Sequence, residues 1–425
     1  MGVFRIAVGV AVVTMGVAVL SAQQPLTPSA FREHPRIAYS RTQPRDPVAR
    51  LNARLESGEV RLQHDDRQGF LTSVLSALDI PVASQLLVFS KTSFQAPRIN
   101  PANPRALYFN DTVSVGWVRG GEVLEFAAQD PTQGTIFYTL EQSSSTPPRF
   151  TRQASCVQCH TSEATLDVPG MFMNSVYPDP KGTPLYFLLF NTDHRTPFET
   201  RWGGWYVTGR HTGRHLGNAV AHDTTSVESM VTNETVNVQR LDGRFETTAY
   251  PEPGSDVVAL LVMEHQMRML NLLTRLGWEA RVGAEAVARP VDQAVNELVD
   301  YMLFVDEAEL PGPVSGTSTF AETFPKRGPR DQQGRSLRDL DLGKRLFRYP
   351  CSYLIYSEPF DALPDDVRTK IYARMFAILS GRDADARYQH LSGEDRRAVI
   401  DILVKTKKGL PSYFAPSAGG EGAAS

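Results

Sequence analysis

Cysteine is scarce in this chain. Three occur in 425 residues, which excludes the disulfide framework of a small secreted scaffold. Charge of one sign is lacking as well: the formal net charge is -3, which gives no reason to expect nucleic acid or a strongly charged partner. No internal repeat of solenoid or propeller period is visible. Long apolar runs are limited to Ile6–Leu20, which falls short of the roughly 20 residues needed to span a bilayer. No cysteine lies near the end of that run, which argues against a lipid-anchored maturation.

The run itself is informative. Arg5 gives a short positive start, the apolar stretch follows, and the small residues Ser21 and Ala22 precede Gln23-Gln24-Pro25. That order describes a secretory signal peptide over residues 1–22, with a mature chain beginning near Gln23 and no membrane span after cleavage. The remainder holds 41% hydrophobic and 21% charged residues, an ordinary globular balance, and its length suggests two or three domains.

Two of the three cysteines stand in Cys156-Val157-Gln158-Cys159-His160. Thiols three positions apart can each add to a vinyl group of haem, and the adjoining imidazole can reach the iron from one face. A redox Cys-x-x-Cys is the first alternative, but a thioredoxin-like βαβ pattern is absent: Pro147, Pro148 and Arg149 precede the motif and a Thr/Ser/Glu loop follows it. A structural zinc site is the second, and it requires another Cys or His pair at ligand spacing, whereas Cys351 stands alone far downstream. The five residues and the export signal resemble c-type cytochromes. The resemblance implies one covalently attached haem c, held by Cys156 and Cys159 and ligated by His160. It also implies attachment on the far side of the inner membrane, hence a periplasmic protein.

Taken in order, residues 23–60 are rich in Pro and Arg and read as an extended segment wrapping the surface. Phe70, Val74, Leu75 and Leu78 predict a short helix within Gly69–Leu78. Residues 61–145 form a β-rich region: short β-branched and aromatic runs at 86–89, 106–109, 113–118, 123–126 and 135–139 are separated by Asn110-Asp111, Gly120-Gly121 and Asp130-Pro131. Residues 146–250 carry the haem loop, a strand over Leu185–Phe190, and a hairpin signal at Asp242-Gly243. Residues 255–410 are helical. Ser255 or Asp256 caps a helix running to about Gly277, another spans Asp292–Phe304, a third spans Asp366–Leu379, and Ser392 with Asp395 opens the last. Residues 311–341 read as a long connection, and residues 411–425 as a flexible tail. The fold class is therefore α+β: an antiparallel β-rich N-terminal and central region carrying the haem loop, then a helical C-terminal region. Small cytochromes c are helical with the motif near the start, so the resemblance does not extend to their fold or to their downstream Met ligand.

The second axial position decides what such a haem does. His211 and His215 lie in a Gly-rich loop beside Trp202 and Trp205, and His215, next to apolar Leu216, is the expected distal ligand. Met171 and Met173 are close to the motif and carry soft thioethers, but methionines beside Phe172 also fit a core. His265 falls on the apolar stripe of its helix, where a histidine is more often a satisfied core residue. Cys351 among Tyr349, Pro350, Tyr353 and Leu354 reads as a buried inert thiol. The functional expectation is single-haem electron transfer to a redox partner protein. A haem enzyme, such as a peroxidase or small-molecule oxidoreductase, and a haem-based sensor are the alternatives. The dihaem peroxidases carry two CxxCH motifs and this chain has one, and no signalling domain follows the motif.

Overall fold

The computed structural model describes residues 26–223, 230–283 and 289–415. The signal peptide expected over 1–22 and the end of the expected tail lie outside the described residues. The chain opens with α1 (Pro28–Arg32), α2 (Pro47–Glu56) and α3 (Leu71–Ala77). It continues through β1 (Leu86–Val88), β2 (Arg105–Phe109), β3 (Val113–Trp117), β4 (Val123–Asp130), β5 (Gly134–Glu141) and β6 (Phe150–Arg152). After the motif come β7 (Met173–Pro178), β8 (Pro184–Thr192) and β9 (Trp205–Tyr206). Helices follow: α4 (Val257–Val282), α5 (Val291–Met302), α6 (Phe320–Thr323), α7 (Glu358–Asp361), α8 (Asp365–Leu379) and α9 (Gly393–Thr406). The α+β class holds, with antiparallel sheets first and helices last. No helix among the described residues is long and apolar enough to cross a membrane.

The main sheet is antiparallel, in the order β6-β5-β4-β3-β2-β1-β9, and β7 pairs with β8 in a separate hairpin. In β1 and β2 the side chains alternate between two cores. Leu86, Val88, Leu107 and Phe109 join the core built around α4, whereas Leu87, Phe89, Ala106 and Tyr108 join the one that also holds residues of α1–α3. Both faces are covered there, so these strands read as continuous apolar runs rather than as alternating ones. The long helix α4 is buried almost all round, including Glu264, His265, Gln266 and Asn271. A helix apolar on all sides belongs in a core; the polar residues that interrupt this one all find roles at contacts.

Some sequence expectations need correcting. Residues 23–60 are not extended throughout: Thr27 and Asp46 cap α1 and α2, each with Pro in the first turn. That arrangement suits proline, which is pre-set for a first helical turn and whose missing N–H is no loss there. Phe31 then packs edge-on against Trp278 at 5.3 Å, and Val48 and Leu51 are buried. The hairpin expected at Asp242-Gly243 is a local turn with an isolated Asp242–Phe245 bridge and no strands. Helix α4 runs five residues past Gly277 to Val282. Residues 311–341 contain α6 and a following 3-10 turn. Within the expected tail, Ser412–Phe414 forms a 3-10 turn whose Phe414 is buried and touches Tyr372 and Phe376 of α8.

Candidate functional site

Strand β6 delivers the motif. It pairs with the end of β5, and Gln153 then bonds back twice, its N–H to Phe137 O at 2.9 Å and its side-chain amide to Thr139 Oγ1 at 2.8 Å. A 3-10 turn, Ala154–Gln158, follows directly. The N–H groups of Cys159 and His160 both donate to Cys156 O, at 3.2 and 3.0 Å. Residues 156, 159 and 160 thus stand at i, i+3 and i+4 of one helical turn, the spacing that puts side chains on a shared face. Cys156 is half-buried, Cys159 exposed, and both are free thiols. Val157, between them, is buried and pins the turn to the core. Burial raises the Cys156 pKa, which keeps that group a protonated thiol at neutral pH.

The His160 ring lies between Phe137 and Phe172, with centroids 4.7 and 5.5 Å away. Its Nδ1 is 3.0 Å from Gly170 O. A carbonyl only accepts, so Nδ1 carries the hydrogen, and in the neutral ring the lone pair sits on Nε2. Burial lowers the His160 pKa, opposed by the bond to Gly170, so the ring is neutral at pH 7. Nε2 makes no hydrogen bond among the described residues. This is the state of a metal-ligating histidine: one nitrogen held by the backbone, the other free and basic.

Gly170 is itself held in place. Its N–H donates to His160 O at 3.0 Å, closing the loop in the reverse direction. The preceding carbonyl, Pro169 O, accepts from Thr135 N of β5, and the following one, Met171 O, accepts from Asn271 Nδ2 of α4 at 2.8 Å. Arg275, one turn further along α4, donates to Leu166 O at 2.7 Å. The loop between motif and β7 is therefore fastened to both the sheet and the long helix. Arg105 and Glu125, paired at 2.8 Å on β2 and β4, exert opposing effects on His160.

No three His, Cys, Asp or Glu side chains converge as a metal cage among the described residues. Haem iron takes four ligands from the porphyrin and needs only axial donors from protein. Two thiols and one neutral imidazole with its Nε2 free fit that group.

The other residues singled out from sequence fall elsewhere. His215 is wholly buried, and its ring neighbours are Phe198, Trp202 and His211, at 6.0, 5.3 and 4.9 Å. None of these touches His160. Met173 is a buried core residue of β7, and Met171 is half-buried, packed against both cores. His265 has both nitrogens engaged, Nδ1 with His194 Nδ1 and Nε2 with Ser352 Oγ, each at 2.8 Å, and it stacks on Tyr301 and Phe304. Cys351 is fully buried, and burial pushes its thiol pKa far up. Sequence reading missed Gly170 and Asn271 as supports of His160, and His194 as the partner of His265. Pro169-Gly170 marks a turn, but nothing local says which side chain its carbonyl meets. Comparison of the chain with protein families, characterised proteins and solved structures finds no match.

Proposed function

We propose that this chain is an exported c-type cytochrome that binds one haem covalently and passes single electrons to a redox partner protein. The observation that carries the reading is the Nδ1–H···O bond from His160 to Gly170, which leaves Nε2 free in the residue directly after a Cys-x-x-Cys turn. Cys156 and Cys159 would hold the haem through two thioethers, each formed by adding a thiol S–H across a vinyl C=C, sulfur to one carbon and hydrogen to the other, with no oxidant consumed. Haem bound there supplies a one-electron ferric/ferrous couple. The protein's own residues do the rest. Gly170 orients His160, Phe137 and Phe172 shield its ring from water, and the exposed Cys159 leaves one attachment point within reach of a partner. Export rests on the sequence of residues 1–22, and together with covalent haem attachment it supports a periplasmic location.

Haem should stay with the purified, exported polypeptide through denaturation and acid-acetone extraction, and Cys156→Ala or Cys159→Ala should weaken that retention. An exported protein without a Soret band would end the reading. Mass spectrometry should place the mature N-terminus near Gln23.

The alternative reading is a haem with an open sixth position, which permits small-ligand chemistry or sensing in place of simple carriage. Spectra of the reduced protein with and without carbon monoxide separate the two. A carrier stays low-spin and unchanged, whereas an open site binds the gas readily.

A further inference from the structure

We propose that His211 and His215 form a second metal site, specific for a single copper(I) ion and separate from the CVQCH motif. Four buried polar atoms gather there without a hydrogen-bond partner: His211 Nε2, both ring nitrogens of His215, and Trp202 Nε1. Buried polar groups are nearly always paired; of these four atoms, His211 Nε2 and one ring nitrogen of His215 carry lone pairs that can bind a cation, whereas Trp202 Nε1 is an N–H donor that cannot. The two imidazoles have centroids 4.9 Å apart, and the Phe198 and Trp202 rings pack against them.

The protonation states suit ligation. His211 Nδ1 lies 2.9 Å from Gly213 O, so that nitrogen carries the hydrogen and Nε2 holds the lone pair. Burial lowers the His211 pKa and takes that of His215 to about 3, leaving both rings neutral at pH 7. The backbone is shaped around them. A Cβ on Gly217 would stand 3.0 Å from His215 Nδ1, so only glycine lets the chain pass the ring comfortably. Trp202 sits at φ 66°, a left-handed conformation that a bulky residue keeps only when its surroundings hold it.

The choice of copper(I) follows from charge and ligand number. No third His, Cys, Asp or Glu joins the pair among the described residues. Zinc(II) in protein sites takes four ligands, commonly with anionic donors. A dication held by two neutral rings in an apolar pocket would be a buried charge without compensation. No carboxylate among the described residues acts on either ring: the His215 environment is set by burial and by His211, and that of His211 by burial and Gly213 O. A soft monocation that accepts low coordination and imidazole donors meets each condition.

The test is anaerobic titration of copper(I) alone into the haem-loaded, full-length protein, in competition with a chromophoric chelator at pH 7. Thioether formation caps Cys156 and Cys159 in that material; should haem prove absent, alkylating the thiols first keeps the measurement independent of the haem reading. One equivalent should be retained, with zinc(II) held at least a hundredfold more weakly. His211→Gln and His215→Gln should each weaken copper(I) retention at least a hundredfold while leaving the Soret band in place. His211→Gln, at the pocket's edge, carries the test if the deeper variant does not fold. Failure of the parent to retain copper(I), or retention that survives His211→Gln, would overturn the proposal. So would a change of haem spin state on His215→Gln, which would give that imidazole to the haem iron instead.

Discussion

Gly170 occupies the position where one atom more changes the most. Its carbonyl fixes the His160 tautomer, and a Cβ there would collide with the Asn271 amide. Gly170→Ala must therefore displace the Asn271 amide from Met171 O, or move the loop or α4. The expected cost is about 1–3 kcal/mol from overpacking, read as a lower urea midpoint. With haem bound as proposed, its spectrum should shift as well, because the acceptor that keeps His160 Nε2 basic is displaced. A variant of parental stability and spectrum would show that the loop relaxes freely and that Gly170 does not orient the ring. At this scale the motif was readable from sequence alone, since Cys156, Cys159 and His160 are contiguous. Their supports were not, because Phe137 and Gly170 reach His160, and Asn271 reaches the Gly170 loop, from separate segments.

Among the elements, α4 ties the site to the rest, and its N-terminus is the point of attack. Asp256 Oδ1 accepts from Val258 N and Ala259 N, while Oδ2 accepts from Thr317 N, Ser318 N and Ser318 Oγ. One carboxylate thus caps the helix and anchors the connection leading to α6. Asp256→Ala should cost about 3 kcal/mol or more, combining a lost cap of about 1 kcal/mol with stranded buried donors. Ser392→Ala, which removes only the capping box of α9, should cost about 1 kcal/mol. Comparing the two urea midpoints checks the difference. Both caps were legible because an Asp or Ser before an apolar-periodic run is a local signal. The same signal stood at Thr27-Pro28 and Asp46-Pro47, where the Pro- and Arg-rich composition concealed it. Strand β7 gave no such signal, since Met173–Pro178 is a strand only through its pairing with β8.

For the whole molecule, one buried ion pair joins the segment before β9 to the helical core. Arg201 and Glu264 meet at 3.0 Å with 2% and 0% of their side chains exposed. Arg201 also donates to Thr196 O and His194 O. Burial raises the Glu264 pKa to about 7, with Arg201 opposing. Removing one partner strands the other, so Arg201→Met should cost about 3–5 kcal/mol, whereas Arg201→Met with Glu264→Leu should recover most of it. Urea unfolding of both variants, together with haem retention, measures how far the two halves depend on each other.

What the sequence determined by itself was local: the Cys-x-x-Cys-His spacing, the short strands from Leu86 to Thr139, the capped helices and hence the α+β class. Each is written in neighbouring residues, through thiol spacing, alternating or continuous apolar runs, or an N-cap ahead of a periodic stripe. Tertiary structure decided which groups meet. His265 lies on an apolar stripe, and only the fold shows both its nitrogens taken by His194 and Ser352. His215 was expected as a ligand from its loop and its apolar neighbour Leu216, and only the fold shows that its ring packs against Phe198, Trp202 and His211. Hydrogen bonding and burial depend on atoms brought together from distant segments, and the order of residues along the chain does not record those distances.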